Sequence, residues 1–329
     1  SIASGGNYNT VVGDEAGTAL TTGDGHVAIG YQALMTEDAQ GHSTAVGNGA
    51  LKLQNTPSTA YNTAVGSEAG TAVTTGLQNT LIGALSGDAL TEANYNVALG
   101  YGNLGSDTLG SRNTAIGTFS LDAQNFSSAT NSNNTAVGYS SGSAVTTGIE
   151  NTLIGARAGI SLTDADYNTA IGYQALGADT KGSRSTAVGY QALAAQNFTS
   201  ATDTNNTAVG FHAGTAVTTG SGNTFVGVSS GDATDDGSYN VAVGDGALSA
   251  NCGNSNVAIG RLAGNVCTGT DNVFVGEQAG VACVATSSNT FIGEQAGSAV
   301  TSGENNTIIG GYTGNAGSLD IRTANNNIV

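Results

Sequence analysis

A five-residue signature, Asn-Thr-Ala-Val-Gly, returns along the whole chain, as at Asn62 to Gly66, Asn134 to Gly138 and Asn206 to Gly210. Its closing glycine can be followed eighteen times in 329 residues, from Gly13, Gly30, Gly47 and Gly66 to Gly276, Gly293 and Gly310. Most steps are 17 residues; two are 16, one is 19 and two are 21. A repeat of this length is too short for paired helices, ankyrin units or propeller blades. It fits one coil of a β-solenoid, with two short strands and two bends per coil. The sequence therefore predicts an all-β fold, a parallel β-roll of about eighteen coils. Stacked at ~4.8 Å per coil, it would make a rod on the order of 85 Å long. Residues 1–312 read as one repeat domain, and 313–329 as a segment leaving it. A longer period of 72 residues links Gly66, Gly138 and Gly210, and also Tyr95, Tyr167 and Tyr239. This points to growth by duplication of four-coil blocks.

Composition narrows the alternatives. Gly is abundant, at 51 residues, Pro occurs once, Trp is absent and only 9% of residues are charged. Collagen would need Gly at about one-third with abundant Pro. A hydrophobic content of 39% does not fit simple disorder. The formal net charge of −17 disfavours nucleic acid and bare anionic membranes as partners. No apolar run approaches the ~18 residues of a membrane span. The chain begins at Ser1 without a signal peptide, which reads as a piece of a longer protein.

Columns are counted from each closing Gly, which is position zero. Position −1 is Val, Ile or Leu in every coil, and we expect it to be the core column: Val12, Ile29, Val46, Val65, Ile82, Leu99, Ile116, Val137, Ile154, Ile171, Val188, Val209 and onward. Position −2 would then face outward. It is Ala in 11 coils and a larger apolar residue in seven, including Leu81, Leu153 and Phe225. A strand apolar on both faces is covered on both, so self-association along the rod is expected; the alternative is a flattened solenoid with two internal layers. Position −3 is Thr in 13 coils and Val in five. Position −4 is Asn in 15 coils, a candidate hydrogen-bonded ladder. After the Gly, Ala-Gly or Ala-Leu at +3 and +4 and an apolar +7 in many coils suggest the second strand and bend.

Two stretches, Asn256 to Gly260 and Asn96 to Gly100, resemble the head repeats of trimeric adhesins. The variant Asn-Thr-Ala-Ile-Gly-Tyr-Gln-Ala-Leu at Asn168 to Leu176 is similar to repeats of bacteriophage tail fibres and related bacterial surface fibres. The stretch Leu319 to Val329 resembles the lead into a self-cleaving intramolecular chaperone domain of such fibres; that domain is not in the sequence. The resemblance implies a left-handed roll, a homotrimer and an extracellular or virion location.

Three coils carry insertions, between Gly47 and Gly66, Gly117 and Gly138, and Gly189 and Gly210. Asn125 and Phe126, and Asn197 and Phe198, occupy matching places and are candidate surface-binding residues for a glycan or protein. The alternative has both rings folded back over the solenoid edge. Asn125 and Asn197 also match the N-glycosylation pattern, read here as coincidence. Cys267 and Cys283 share column +7, within disulfide reach on neighbouring coils, or simply small buried hydrophobes; Cys252 sits one place further on, at +8. No Cys-X-X-Cys occurs, and His26, His42 and His212 are remote, so no metal is expected. No cofactor motif or catalytic constellation stands out. Val substitutions at −3 and the insertions argue against a regular ice-binding Thr face. The expectation is a non-enzymatic fibre, a phage tail-fibre shaft or head supporting host-surface binding. A bacterial trimeric adhesin head, an end-to-end self-assembling filament and a glycan-cleaving fibre are the alternatives.

Overall fold

The computed structural model describes residues 6–316 and 319–329; the first five residues assigned to the repeat domain lie outside the described residues. The chain is an all-β parallel solenoid of eighteen turns, each contributing one three-residue strand at positions −3 to −1. Among the described residues there is no helix. Two compact units divide it, residues 1–167 and 168–329. The first holds nine of these strands, from Thr10–Val12 to Thr152–Ile154, and the second nine more, from Thr169–Ile171 to Thr307–Ile309. Pairing is parallel and in register. In the first unit Thr63, Ala64 and Val65 lie beside Thr80, Leu81 and Ile82. In the second, Thr207, Ala208 and Val209 lie beside Thr224, Phe225 and Val226. Each sequence column is thus a physical column.

The expected second strand per coil is not formed. The segment after the closing Gly is a run of turns. Positions +2 and +4 are left-handed: Gln32 and Leu34 have φ of 56° and 49°, and Glu68 and Gly70 both 59°. Alternating left-handed residues cannot make an extended strand. Coil-to-coil hydrogen bonds persist all the same, as from Glu68 N to Asn48 O at 2.7 Å and from Leu51 N to Ala69 O at 3.0 Å. Two insertion coils add short parallel pairs, Gly110–Ser111 with Thr130–Asn131 and Gly182–Ser183 with Thr202–Asp203.

The faces of the strand are the reverse of the expectation. Position −2 is the interior column: Ala45, Ala64, Leu81, Leu153, Phe225, Phe274 and Phe291 are all 0% exposed. Position −1 faces out. Val12, Ile29, Val46, Val65, Ile82, Leu99, Ile116, Val137, Ile154, Ile171, Val188 and Val209 are half-buried or exposed, and none is a core residue of its own coil. The cause is the asparagine at −4, which must point inward to reach a backbone carbonyl across the coil. Side chains alternate along a strand, so an inward −4 turns −2 inward and sends −3 and −1 out.

Those asparagines form a ladder within each unit, interrupted where Ser43 and Ser185 stand in the column and bond Gln54 and Gln196 instead. The backbone N–H of Asn79 donates to Asn62 Oδ1 at 2.8 Å, and that of Asn96 to Asn79 Oδ1 at 3.0 Å. Most Nδ2 groups donate to a carbonyl fourteen residues on, as from Asn62 to Gly76 O and from Asn206 to Gly220 O, both at 2.7 Å; from Asn240 and Asn256 the step is thirteen, and from Asn306 eighteen. One side chain satisfies three buried backbone and amide groups that would otherwise cost free energy. His26 takes the place of Asn in one coil, with Nε2 against Gln40 O, also fourteen residues on.

Interior packing follows a complementary pattern. Where −2 is Ala, +4 is often Leu, as in Ala28 with Leu34 and Ala45 with Leu51, all fully buried. Where −2 is large, +4 is Gly. A Cβ on Gly87 would lie 2.9 Å from Leu81 Cδ2, and one on Gly70, a coil earlier, 2.6 Å from Leu81 Cδ1. One large side chain therefore fills the space vacated by two glycines. The closing glycine has its own cause. Gly83 has φ of 127°, and a Cβ there would meet the carbonyl oxygen of Gly100.

The segment after the last repeat turns through an antiparallel pair, Asn315–Ala316 with Leu319–Asp320, and rejoins the ladder. Asn327 N donates to Asn306 Oδ1 at 3.0 Å, and Ile328 bridges Thr307 in parallel.

Candidate interaction surface

The outward strand face combines two stacked columns, Val/Ile/Leu at −1 and Thr/Val at −3. Exposure stays high inside each unit: Leu99 is 45% exposed and Val97 40% in the first, Ile259 41% and Val209 37% in the second. In-register pairing joins them into an apolar strip, with β-branched side chains stacked coil on coil. Two-sided apolarity, the part of the sequence argument that bore on association, survives the inversion of the faces.

The insertion loops rest on buried carboxylate–amide pairs. Asp107 accepts from Gln124 Nε2 at 2.5 Å and from Gly110 N at 3.0 Å. Asp179, 72 residues on, accepts from Gln196 Nε2 at 2.5 Å and from the N–H groups of Gly182 and Phe198, both at 3.1 Å. Glu37 and Gln54 repeat the pair at 2.9 Å in the coil with the shorter insertion. Gln124 Oε1 also accepts from Asn134 Nδ2 at 2.8 Å, which ties the pair into the asparagine ladder. Burial pushes the Asp107 carboxyl above its ordinary range, although Gln124 and backbone N–H groups oppose the shift. All three pairs are fully buried, so they anchor loops rather than meet a ligand.

At the loops themselves, Asn125 and Asn197 are exposed. Phe126 is turned in, 6% exposed, and Phe198 is half-buried. The aromatic pair proposed as a contact surface therefore lies against the coil edge, and Thr108 Oγ1 and Thr180 Oγ1 hold the backbone carbonyls of Phe126 and Phe198 at 3.3 and 2.8 Å.

The three cysteines are free and buried. Cys252, one residue out of step in the sequence count, is inward like Cys267 and Cys283. Burial pushes the Cys267 thiol up to about 11 and that of Cys283 up to about 12. Thr234 Oγ1 lies 3.2 Å from Cys252 Sγ, and Asn272 Nδ2 lies 3.5 Å from Cys267 Sγ. These thiols behave as small core residues. Among the described residues no group of three or more His, Cys, Asp or Glu is placed to hold a metal ion.

One surface is not among the sequence expectations. Position +1 carries Tyr173, Tyr190 and Phe211 on three successive coils of the second unit. Their rings stack at centroid distances of 5.4 and 5.3 Å, with interplanar angles of 18° and 14°. Beside them Gln191 Nε2 donates to Gln174 Oε1 at 3.0 Å. The signal was present as a run of aromatics in one column, but it is interrupted by Asp, Ser, Ala and Glu elsewhere along the chain. Neither a protein-family model nor a curated protein matches this chain.

Proposed function

We propose that this chain is a non-enzymatic structural fibre subunit that associates with copies of itself through the outward strand face. The observation that carries the reading is the apolar strip at −1 and −3, which a single chain leaves in water. Burying a Val, Ile or Leu completely contributes about 1.5–3 kcal/mol; these side chains are already half-buried, so covering the strip adds a fraction of that on each coil. A parallel sheet covered on one side by its own coil is ordinarily covered on the other too. Position −1 is never charged and −3 is only Thr or Val, as a face selected for packing requires. The resemblance to trimeric-adhesin heads and phage tail-fibre repeats supports three chains per assembly and an extracellular or virion setting, where the fibre would hold a host-binding element.

Light scattering on undenatured protein tests this. The expected native mass is three times the chain's 32.1 kDa. Val65→Lys and Val209→Lys, each placing a charge on the strip, should yield monomers with the coil intact. A monomeric wild-type protein would refute the reading. Open-ended filaments would replace the trimer with a self-assembling filament, and an assembly indifferent to both lysines would move the interface elsewhere.

A further inference from the structure

As a docking face the outward strip lacks one thing, a mark of position. Val, Ile or Leu at −1 and Thr or Val at −3 repeat along all nine coils of the second unit. Two parallel copies can slide past each other by one coil, about 4.8 Å, and lose little contact. A single register needs something aperiodic on the same face. The columns that flank the strip are placed to supply it. Position +1 follows −1 across a single Gly, so its backbone stands at most ~7.6 Å from the strip. Position −5 precedes −3 by two residues and borders the other side.

The two flanks differ. At −5 the second unit is polar, with Arg184, Asn205 and Asp271, and Tyr239 is its one aromatic residue. At +1 the unit falls into two blocks. Tyr173, Tyr190, Phe211 and Val228 come first, on four successive coils, 40, 44, 49 and 50% exposed. Asp245, Arg261, Glu277 and Glu294 follow on the next four, all exposed, with Arg261 paired to Glu277. In the first unit Tyr31, Tyr101 and Tyr139 stand singly at +1. The three rings of the second unit are stacked, so they are held in place before anything docks on them.

Charge and area point to a second copy of the chain as the occupant. Each copy carries a net charge of −17, so copies repel least where the face is uncharged. Beside the first block the strip and the +1 flank both lack Asp, Glu, Lys and Arg. The nine half-exposed −1 side chains of this unit offer together on the order of 400 Å², half of the ~800 Å² that each partner covers in a stable interface. Each half-exposed ring adds on the order of 90 Å², so the block supplies much of the rest. Sliding one copy by two or three coils would carry Phe211 to the height of Asp245 or Arg261 in its neighbour and set charge against apolar surface. We infer that the Tyr173–Tyr190–Phe211–Val228 block is the anchor that fixes the register between copies, with the charged block after it as the rim. The inference rests on the self-association proposed above for the strand face.

Light scattering over a dilution series gives the concentration at which the assembly dissociates. Tyr190→Ser and Phe211→Ser should each raise it at least about tenfold with an unchanged circular-dichroism spectrum. Val284→Ser, 50% exposed at position +8, should leave it where it is. Register is read separately. A spin label on Ala233→Cys, an exposed position off the strand face, reports distances between copies, and the three native thiols are buried. One narrow distance is expected, and adding Tyr190→Ser should broaden it as copies slip by whole coils. Several distances in the chain with intact rings would overturn the inference. So would an assembly whose dissociation and label distance are indifferent to both ring variants, and that result would leave the strip interface standing. A monomeric wild-type protein would overturn the anchor and the assembly reading together.

Discussion

Phe225 lies between two glycines that its own ring makes necessary. A Cβ on Gly231 would stand 2.5 Å from both Cδ1 and Cε1 of Phe225, and one on Gly214 would stand 2.8 Å from Cδ2. Three measurements follow. Phe225→Ala removes a fully buried ring and should cost about 3–5 kcal/mol. Gly231→Ala should cost about 1–3 kcal/mol for the clash, with about 1–2 kcal/mol more because its φ of 61° is left-handed. If the two acted independently, the double variant would lose roughly 5–10 kcal/mol. The structure predicts much less. With the ring gone the clash vanishes, and the new methyl occupies part of the cavity. The double variant should therefore lose only about 4–6 kcal/mol, a favourable coupling of roughly 1–3 kcal/mol. Urea unfolding followed by circular dichroism reads all three values from midpoint and slope. Additivity to within about 0.5 kcal/mol would mean that glycine at +4 answers to something other than the −2 side chain, and the packing argument would fail.

Other outcomes follow from the same coordinates. The Asp107, Asp88 and Asp122 carboxyls are all raised above 3.8 by burial. Such groups bind protons more readily when folded, so stability should fall as pH rises from the unfolded value through the folded ones. Asp107→Asn should flatten part of that slope, and an unfolding midpoint that rises with pH in both proteins would contradict the reasoning. Replacing Asn223 by alanine leaves Gly237 O and Asn240 N without their bonds of 2.8 and 2.9 Å. At about 1–3 kcal/mol for each stranded group, denaturant titration should show a loss of roughly 2–6 kcal/mol. With the Cys267 thiol at about 11 and that of Cys283 at about 12, alkylation of the native protein at pH 8 should leave all three cysteines unmodified by mass, and denaturant should open all three. Modification of the folded chain would show that the column opens.

Much of the fold was legible in the residues. Spacing of the closing glycines gave the coil count, because a solenoid adds one rung per repeat and each rung must close on itself. Asn at −4 marked a ladder, since little else at that place can bond both to its neighbour and across the coil. The polar +7 residues Asp107 and Gln124, repeated at Asp179 and Gln196, were in plain sight, but their burial was not. Charged and amide side chains are usually solvated, and only the loop above them supplies the N–H groups that make them interior. Phe126 was open to two readings because a one-residue change of direction at a bend decides whether a ring points out or lies on the coil edge.

The sequence by itself determined the period, the parallel in-register stacking and the two-sided apolarity of the strand, because each is a statement about columns. It did not determine which side of the strand is inside. Period-2 alternation is symmetric between the faces, and both −1 and −2 are apolar throughout. Volume broke the symmetry. The interior is narrow enough that Leu34 needs Ala28, and Phe225 needs glycine at 214 and 231. Only the closed coil, with its asparagine amide reaching across to a carbonyl, set −2 inside and left the valines and isoleucines facing out.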